Sequence, residues 1–258
     1  MRYLSFIFLG VLGLSFILNA GVRMVSDYED YEVKEKGTHI SYIEKDKMRY
    51  DVKTEKRDMA VIFRADKELF WSIDNKKKNY IEITKADMER MKKKMEEGMK
   101  MMEEQFKNLP PEQRKKMEEM MKGKMKIETP KIVYKKVATA QKVNQWVCDK
   151  YEGYEGKNKV EEIWTTDFSK IGLKPEDLKI MEEMGKFFSE MMKGVSFYKI
   201  QTEKKEDKFF GVPVRIIGYD KGEKKFKMEL KEIKRENLAP TLFEIPKGYK
   251  KEKLKIEE

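Results

Sequence analysis

The sequence has very few of the residues on which enzyme active sites and disulfide scaffolds depend. Its 258 residues include one histidine, His39, and one cysteine, Cys148. A single cysteine excludes an intrachain disulfide framework, and we expect it to be a buried, inert thiol. The sequence also lacks a P-loop, a dinucleotide fingerprint, an H-E-x-x-H motif and a C-x-x-C motif. We therefore expect a protein that is not an enzyme and has no catalytic residues and no cofactor, with His39 in a structural or surface role.

Long runs of one charge are also missing. The chain carries 57 Lys and Arg against 47 Asp and Glu, a formal net charge of +10. The two signs are interspersed, and the densest basic runs, 76–78 and 247–255, are short. No nucleic-acid-binding motif is present, so nucleic acid is not an expected partner. Weak contact with an anionic membrane surface is compatible with this charge pattern.

The first 20 residues have the features of a secretory signal peptide. Arg2 precedes an apolar run at 4–18, and small residues follow before Gly21. The alternative is a membrane anchor, but the run is shorter than the roughly 20 residues that a spanning helix needs. We predict cleavage after about Ala20 and a periplasmic protein. Residues 21–258 are predicted to form a single domain.

The chain after residue 20 has the pattern of an antiparallel sheet. Met59, Val61 and Phe63 alternate with Ala60 and Ile62, as in a strand with one buried face. The turns between such segments are too short for parallel crossovers. A tail at 237–248 contains two prolines and is expected along the sheet edge. The predicted strands span 38–43, 48–53, 59–65, 69–74, 80–84, 131–139, 145–154 and 160–166, with a closing hairpin over 212–231.

Ten of the 19 methionines lie in a helical insertion at 84–126. A stripe of residues spaced by three or four predicts one apolar helix face: Met88, Met91, Met95, Met99, Met102 and Phe106. Thr84 and Asp87 resemble a capping box at its start, and residues 108–111 should end it and start a second helix. A further helix is predicted at 175–195, with Pro175 at its first position and four more methionines.

Three short segments resemble an exported bacterial family, domain of unknown function 4412. They are the closing run P-T-L-F-E-I-P-K-G-Y at 240–249, W-S-I-D at 71–74 leading to K-N-Y at 78–80, and L-P-P-E-Q-R at 109–114. That family is similar in fold to the outer-membrane lipoprotein carriers LolA and LolB. The resemblance implies an α+β fold in which Met-rich amphipathic helices cover the concave face of a curved antiparallel sheet, an incomplete barrel. The helices here are longer and more charged than is usual for such carriers.

Methionine is flexible and polarisable, and it suits surfaces that accept variable apolar shapes. The first functional hypothesis is a monomeric periplasmic binding or carrier protein for a lipid, an acyl chain or a lipidated protein. The ligand would lie between the sheet and the helices, in a cavity of about 300 Å³ or more. The candidate lining residues are Phe63, Trp71, Trp146, Trp164, Met91, Met95, Met102, Met184 and Phe188.

Three alternatives remain open from the sequence. The helices could form a permanent core with no ligand. They could instead present a groove to other chains, as in an envelope interaction or stress protein without a small ligand. Methionine thioethers could also bind Cu(I), but their helical spacing and the lack of histidine or cysteine beside them favour packing, so no metal is expected.

Overall fold

The computed structural model describes residues 20–107, 110, 132–189 and 205–254. Three predictions fall wholly or partly on other residues. The signal peptide, the second methionine-rich helix after Pro110 and the end of the helix predicted at 175–195 lie outside the described residues.

The described chain is built around one open sheet of twelve strands, whose order differs from the chain order. Every neighbouring pair is antiparallel except β12 with β6, so the predicted antiparallel sheet is confirmed. The strands are β1 Gly21–Asp30, β2 Glu35–Ile43, β3 Lys47–Thr54, β4 Asp58–Arg64, β5 Leu69–Asp74, β6 Asn79–Thr84, β7 Ile132–Val143, β8 Trp146–Glu155, β9 Asn158–Thr166, β10 Val212–Asp220, β11 Glu223–Glu236 and β12 Lys250–Glu252. Their order in the sheet is β12-β6-β5-β4-β3-β2-β1-β11-β10-β9-β8-β7.

The pairing of β1 with β11 joins two meanders into this sheet. Strands β1 to β6 follow one another in space, as do β7 to β11, and each neighbour is reached by a short turn or by an insertion. Gly21 at the start of β1 pairs with Glu236 at the end of β11. The first strand of the first meander and the last strand of the second therefore meet near the centre of the sheet.

Apolar side chains cover both faces of the sheet. Adjacent residues of a strand point to opposite faces, and Ile62 and Phe63 belong to different buried clusters. We call the face that bears Phe63 and Trp164 the helix face, because the second helix packs on it. The opposite face carries two smaller clusters, one around Ile62 and Trp71 and one around Ile163.

The first helix, α1 (Lys85–Lys107), begins where the capping box predicts. The Thr84 amide donates to Asp87 Oδ2 at 2.9 Å, and the Asp87 amide donates to Thr84 Oγ1 at 3.2 Å. The predicted cover of the sheet by this helix is not observed. Met88 is 4% exposed, but Met95 is 42% exposed. Because α1 continues directly from β6, next to the sheet edge, it leaves the sheet near its margin and packs mainly through its first turn.

The second helix, α2 (Lys179–Ser189), follows a 3-10 turn at Pro175–Leu178, with Pro175 at the predicted first position. Leu178 and Ile180 are buried in the core of the helix face. Met181 and Met184 pack against the same core and stay half-exposed. No helix within the described ranges is long and apolar enough to span a membrane.

The C-terminal tail covers a face of the sheet, which corrects the prediction that it lies along an edge. A 3-10 turn at Pro240–Phe243 places the fully buried Phe243 in the cluster of Ile62 and Trp71. Arg64 Nη1 donates to the carbonyl oxygen of Phe243 at 3.1 Å. Only β12 reaches the edge, where it pairs with β6. The apolar side chains of the tail explain the difference, because an edge position would have left them in water.

Candidate functional site

Aromatic side chains fix α2 against the helix face of the sheet. The ring of Phe187 lies 5.5 Å from that of Phe63 on β4, and the ring of Phe188 lies 4.9 Å from that of Phe70 on β5. The second pair meets edge to face, at 89°. Such pairs add about 0.5–1.5 kcal/mol to the free energy gained by burying their area. We call Phe63, Phe70 and Phe188 the aromatic floor; Phe187 packs on it from α2.

Apolar side chains of both helices remain partly open to solvent. On α2, Met181, Met184 and Phe187 are half-buried at the aromatic floor. On α1, Met91 is half-buried and Met95 is 42% exposed. We call the full set the methionine surface: Met91, Met95 and Met102 of α1, with Met181, Met184 and Phe187 of α2. Flexible side chains of this kind can repack around an apolar molecule.

The structure brings some of the predicted lining residues together and separates others. Phe63, Trp146 and Trp164 belong to the core of the helix face, where Met184 also packs. Phe188 is buried against Phe70.

The remaining predicted lining residues lie outside the core of the helix face. Trp71 lies on the opposite face under the C-terminal tail, and its Nε1 donates to Glu82 at 2.8 Å. Met91, Met95 and Met102 lie on α1. Sequence reasoning missed Phe70 and Phe187, although each neighbours a residue of a predicted strand or helix face.

A belt of charged residues crosses the helix face on β8 to β11. The ring of Trp164 has Lys150 Nζ 4.7 Å and the Arg215 guanidinium 5.3 Å from its centre. Glu162 accepts from Lys150 at 3.0 Å, and Arg215 Nε donates to Glu229 at 2.7 Å. These contacts pair the charges of the belt with one another and with the Trp164 ring.

Both carboxylates of this belt are ionised at neutral pH. Burial alone would raise the pKa of Glu162, but donation from Lys159, Lys150 and Tyr219 outweighs it and lowers that pKa to about 2. Burial would also raise the pKa of Glu229, but hydrogen bonds from Lys231, Lys227 and Arg215 outweigh burial and lower that pKa to about 2. Each carboxylate is therefore a structural anchor for cations and is not poised to move a proton near pH 7.

His39 and Cys148 both occupy structural positions. The His39 ring stacks on Tyr28 at 4.5 Å, and its Nδ1 lies 2.5 Å from the Tyr50 hydroxyl. Burial lowers its pKa to about 4. Cys148 is 1% exposed, and burial raises the pKa of its thiol to about 11, so the predicted buried thiol is confirmed. Within the described residues, no three His, Cys, Asp or Glu side chains converge as a metal site would require.

The chain has only distant similarity to known proteins. No protein-family model matches it, and no curated protein sequence matches it significantly, so membership of the domain of unknown function 4412 family is not confirmed. Its fold is similar to that of an uncharacterized conserved protein from Thermus thermophilus, with 9% identity, 92% of both chains covered and a TM-score of 0.48. A LolA superfamily protein from Nitrosomonas europaea matches at 8% identity over 89% of this chain and 91% of that one, with a TM-score of 0.32.

PNGF-II also matches, at 9% identity and a TM-score of 0.36, over 91% of this chain and 31% of that one. Similarities at this level assign no family and transfer no function. A functional assignment therefore depends on the side chains of the described fold.

Proposed function

We propose that this protein is a non-enzymatic binding or carrier protein for a hydrophobic ligand, namely a lipid, an acyl chain or a lipidated protein. The methionine surface is the observation that supports this function. Its side chains are apolar, yet Met95 is 42% exposed and Met181, Met184 and Phe187 are only half-buried. Groups of exposed apolar side chains mark ligand-binding or partner-binding sites in soluble proteins.

The chemistry of the methionine surface favours a flexible chain as its ligand. An unbranched thioether side chain adapts its shape to its neighbours, whereas the aromatic floor of Phe63, Phe70 and Phe188 stays fixed. An acyl chain laid between them would bury both. Completing the burial of a methionine or phenylalanine side chain contributes at most about 1.5–3 kcal/mol. Micromolar affinity takes about 8 kcal/mol, so the ligand has to contact most of the methionine surface.

The proposed setting is the periplasm, with the protein acting as a monomer. The apolar segment at 4–18 supports export, because it has the length and flanking residues of a cleaved signal. A carrier in that compartment moves between membranes through water, so it must shield the apolar part of its ligand. This setting is tested by fractionating cells that express the tagged full chain.

Uptake of a fluorescent fatty acid tests the binding function directly. We expect saturable binding by the wild-type protein, and at least a tenfold loss in the double variant Met95→Glu with Phe187→Glu. The control is Val33→Glu, because Val33 is 50% exposed in a turn outside the three apolar clusters. Native mass spectrometry of protein purified from the envelope should show co-purified lipid. Ligand-free protein that takes up no probe would overturn the proposal.

One observation favours the alternative of an envelope interaction or stress protein. Met101 is 60% exposed on α1 and lies off the stripe of Met91 and Met95. A helix that presents apolar side chains on more than one face suits contact with another polypeptide. An aggregation-suppression assay separates the two functions: Met101→Glu should abolish chaperone activity, while leaving fatty-acid uptake intact.

A further inference from the structure

A second site lies on the opposite face of the sheet, at the end formed by β7, β8 and β9. It is a cleft of about 600 Å³, and none of the nine lining residues predicted from the sequence takes part in it. Tyr151 and Asp149 of β8 and Thr165 of β9 form its floor. Lys170 follows β9, and Lys208 precedes β10. A volume of this size suits a small organic molecule.

The segment that closes the cleft is held in place by three contacts. The Tyr134 amide donates to the carbonyl oxygen of Asp207 at 3.0 Å. Phe209 is buried and meets the Tyr134 ring edge to face at 5.0 Å. Gly211 has φ +98°, and a Cβ there would lie 2.4 Å from the Thr166 carbonyl oxygen. Because glycine permits this approach, the segment closes tightly over the sheet and the cleft is formed before any ligand arrives.

The charges of the cleft leave a positive surplus. Lys136 Nζ binds Asp149 Oδ2 at 2.7 Å, so this pair is neutral. Asp167 Oδ1 accepts from the amide and the hydroxyl of Ser169, at 2.9 Å and 2.8 Å. Within the described part of the chain, Lys170 and Lys208 form no ion pair, and both line the cleft. Two lysines therefore offer their charge to a ligand.

A hydroxyl without a hydrogen-bond partner among the described residues also lines the cleft. Thr165 is 3% exposed, and its hydroxyl makes no hydrogen bond with any described residue. The hydroxyl of the neighbouring Thr166, by contrast, donates to the carbonyl oxygen of Val147 at 3.0 Å. The cleft leaves the Thr165 hydroxyl open to solvent, so it is available to donate to a ligand oxygen there. The Tyr151 ring beside it provides an apolar surface for the rest of the ligand.

We propose that this cleft binds the phosphate group of a phosphorylated sugar or lipid headgroup, with Lys170 and Lys208 holding the phosphate oxygens and Thr165 donating to one of them. Lysines act as point charges toward phosphate, and their donors bind its oxygens strongly. The polar pair of Lys136 with Asp149 and the Tyr151 ring would contact the organic part. The site is separate from the methionine surface, because it lies on the other face of the sheet.

Two binding measurements on the full chain test this site. One is isothermal titration with glucose 6-phosphate. The other is sedimentation with phosphatidylglycerol vesicles, with phosphatidylcholine vesicles for comparison. We expect binding to at least one phosphate probe. The double variant Lys170→Gln with Lys208→Gln should weaken it at least tenfold, and Thr165→Val, which removes only the hydroxyl, about fivefold. The matched control, Lys142→Gln with Lys157→Gln, removes two exposed lysines that lie outside the cleft, one on β7 and one in the turn between β8 and β9.

The outcomes separate the ligand sources and the possible failures. Binding of glucose 6-phosphate assigns a soluble phosphate ester, and binding of phosphatidylglycerol vesicles alone assigns a lipid headgroup. Equal weakening by the cleft and control variants means unspecific charge attraction and overturns the proposal. The proposal is also overturned if no probe binds at millimolar concentration. Fatty-acid uptake is measured in parallel and should not change in the cleft variants.

Discussion

The ring of Phe188 on α2 meets the ring of Phe70 on β5 edge to face, with 4.9 Å between their centres. Phe188 is 8% exposed, so this contact is at once a core contact and the floor of the methionine surface. Stability and ligand binding are therefore expected to depend on the same few side chains.

Phe188→Ala should destabilise the protein by about 3–5 kcal/mol, because it removes a buried ring and leaves a cavity next to Phe70. Urea unfolding followed by tryptophan fluorescence measures the change. Met181→Ala, at a half-buried position on the same helix, should cost less. A loss below about 1 kcal/mol for Phe188→Ala would mean that α2 is not anchored through this ring.

Arg64→Met should loosen the C-terminal tail. The Arg64 side chain is 9% exposed, and it binds Asp66, Glu244 and the carbonyl oxygen of Phe243. Removing Arg64 leaves the buried carbonyl oxygen of Phe243 without this donor, which costs about 1–3 kcal/mol. Asp66 and Glu244, which are 31% and 46% exposed, can be rehydrated and add little to this cost. Lys67→Met is the control, because Lys67 binds the same Glu244 but is 44% exposed, where an ion pair contributes about 0–1 kcal/mol. Hydrogen exchange of residues 240–252 should rise in the first variant and stay slow in the second.

His39 should make the protein less stable as the pH falls from neutral. Burial, followed by the charge of Arg57, lowers its pKa from 6.5 to about 4 in the folded chain. Between these two values the unfolded chain takes up a proton that the folded chain does not, so the free energy of unfolding decreases as the pH falls. His39→Phe should reduce this slope between pH 6.5 and about pH 4. Urea midpoints across that range test it, and an unchanged slope would contradict the burial of a neutral ring.

Glu162 and Glu229 should govern stability at lower pH. The pKa of each is lowered from 4.5 to about 2, so their stabilisation is present above 4.5 and is lost as the pH falls through about 2. Glu162→Gln with Glu229→Gln should be destabilised at pH 7 and should lose less further stability on acidification. Calorimetry measures both effects. Glu223→Gln, at the exposed first residue of β11, should behave as wild type.

Much of the sheet can be predicted from local patterns. The alternation of Met59, Val61 and Phe63 marks β4, and the pair of Thr84 and Asp87 marks the start of α1. Such signals can be recognised from the sequence because they depend only on residues that are close together in the chain. Strand β1 has no such signal, since much of it is polar and half-buried and its partner β11 lies some 200 residues away.

The candidate sites could be predicted only in part for a related reason. A stripe of methionines predicts an apolar helix face, but whether Met95 is covered depends on where α1 leaves the sheet. Lys170 and Lys208 of the cleft lie at opposite ends of the long connection between β9 and β10. Neither end carries a motif, and the pairing of β9 with β10 brings them to the same end of the sheet. Long-range pairing is thus the information that local patterns lack.

Photocrosslinking with a diazirine-bearing fatty acid tests the proposed binding function most directly, because it identifies the residues that touch the chain. After irradiation and digestion, mass spectrometry should find the label on α1 around Met91 and Met95 and on α2 around Met184 and Phe187. An excess of fatty acid without the diazirine group should reduce this labelling by competition. Two results would contradict a hydrophobic ligand on the methionine surface. One is label confined to other segments, such as the turn around Val33 or the cleft of Thr165, and the other is the absence of any saturable label.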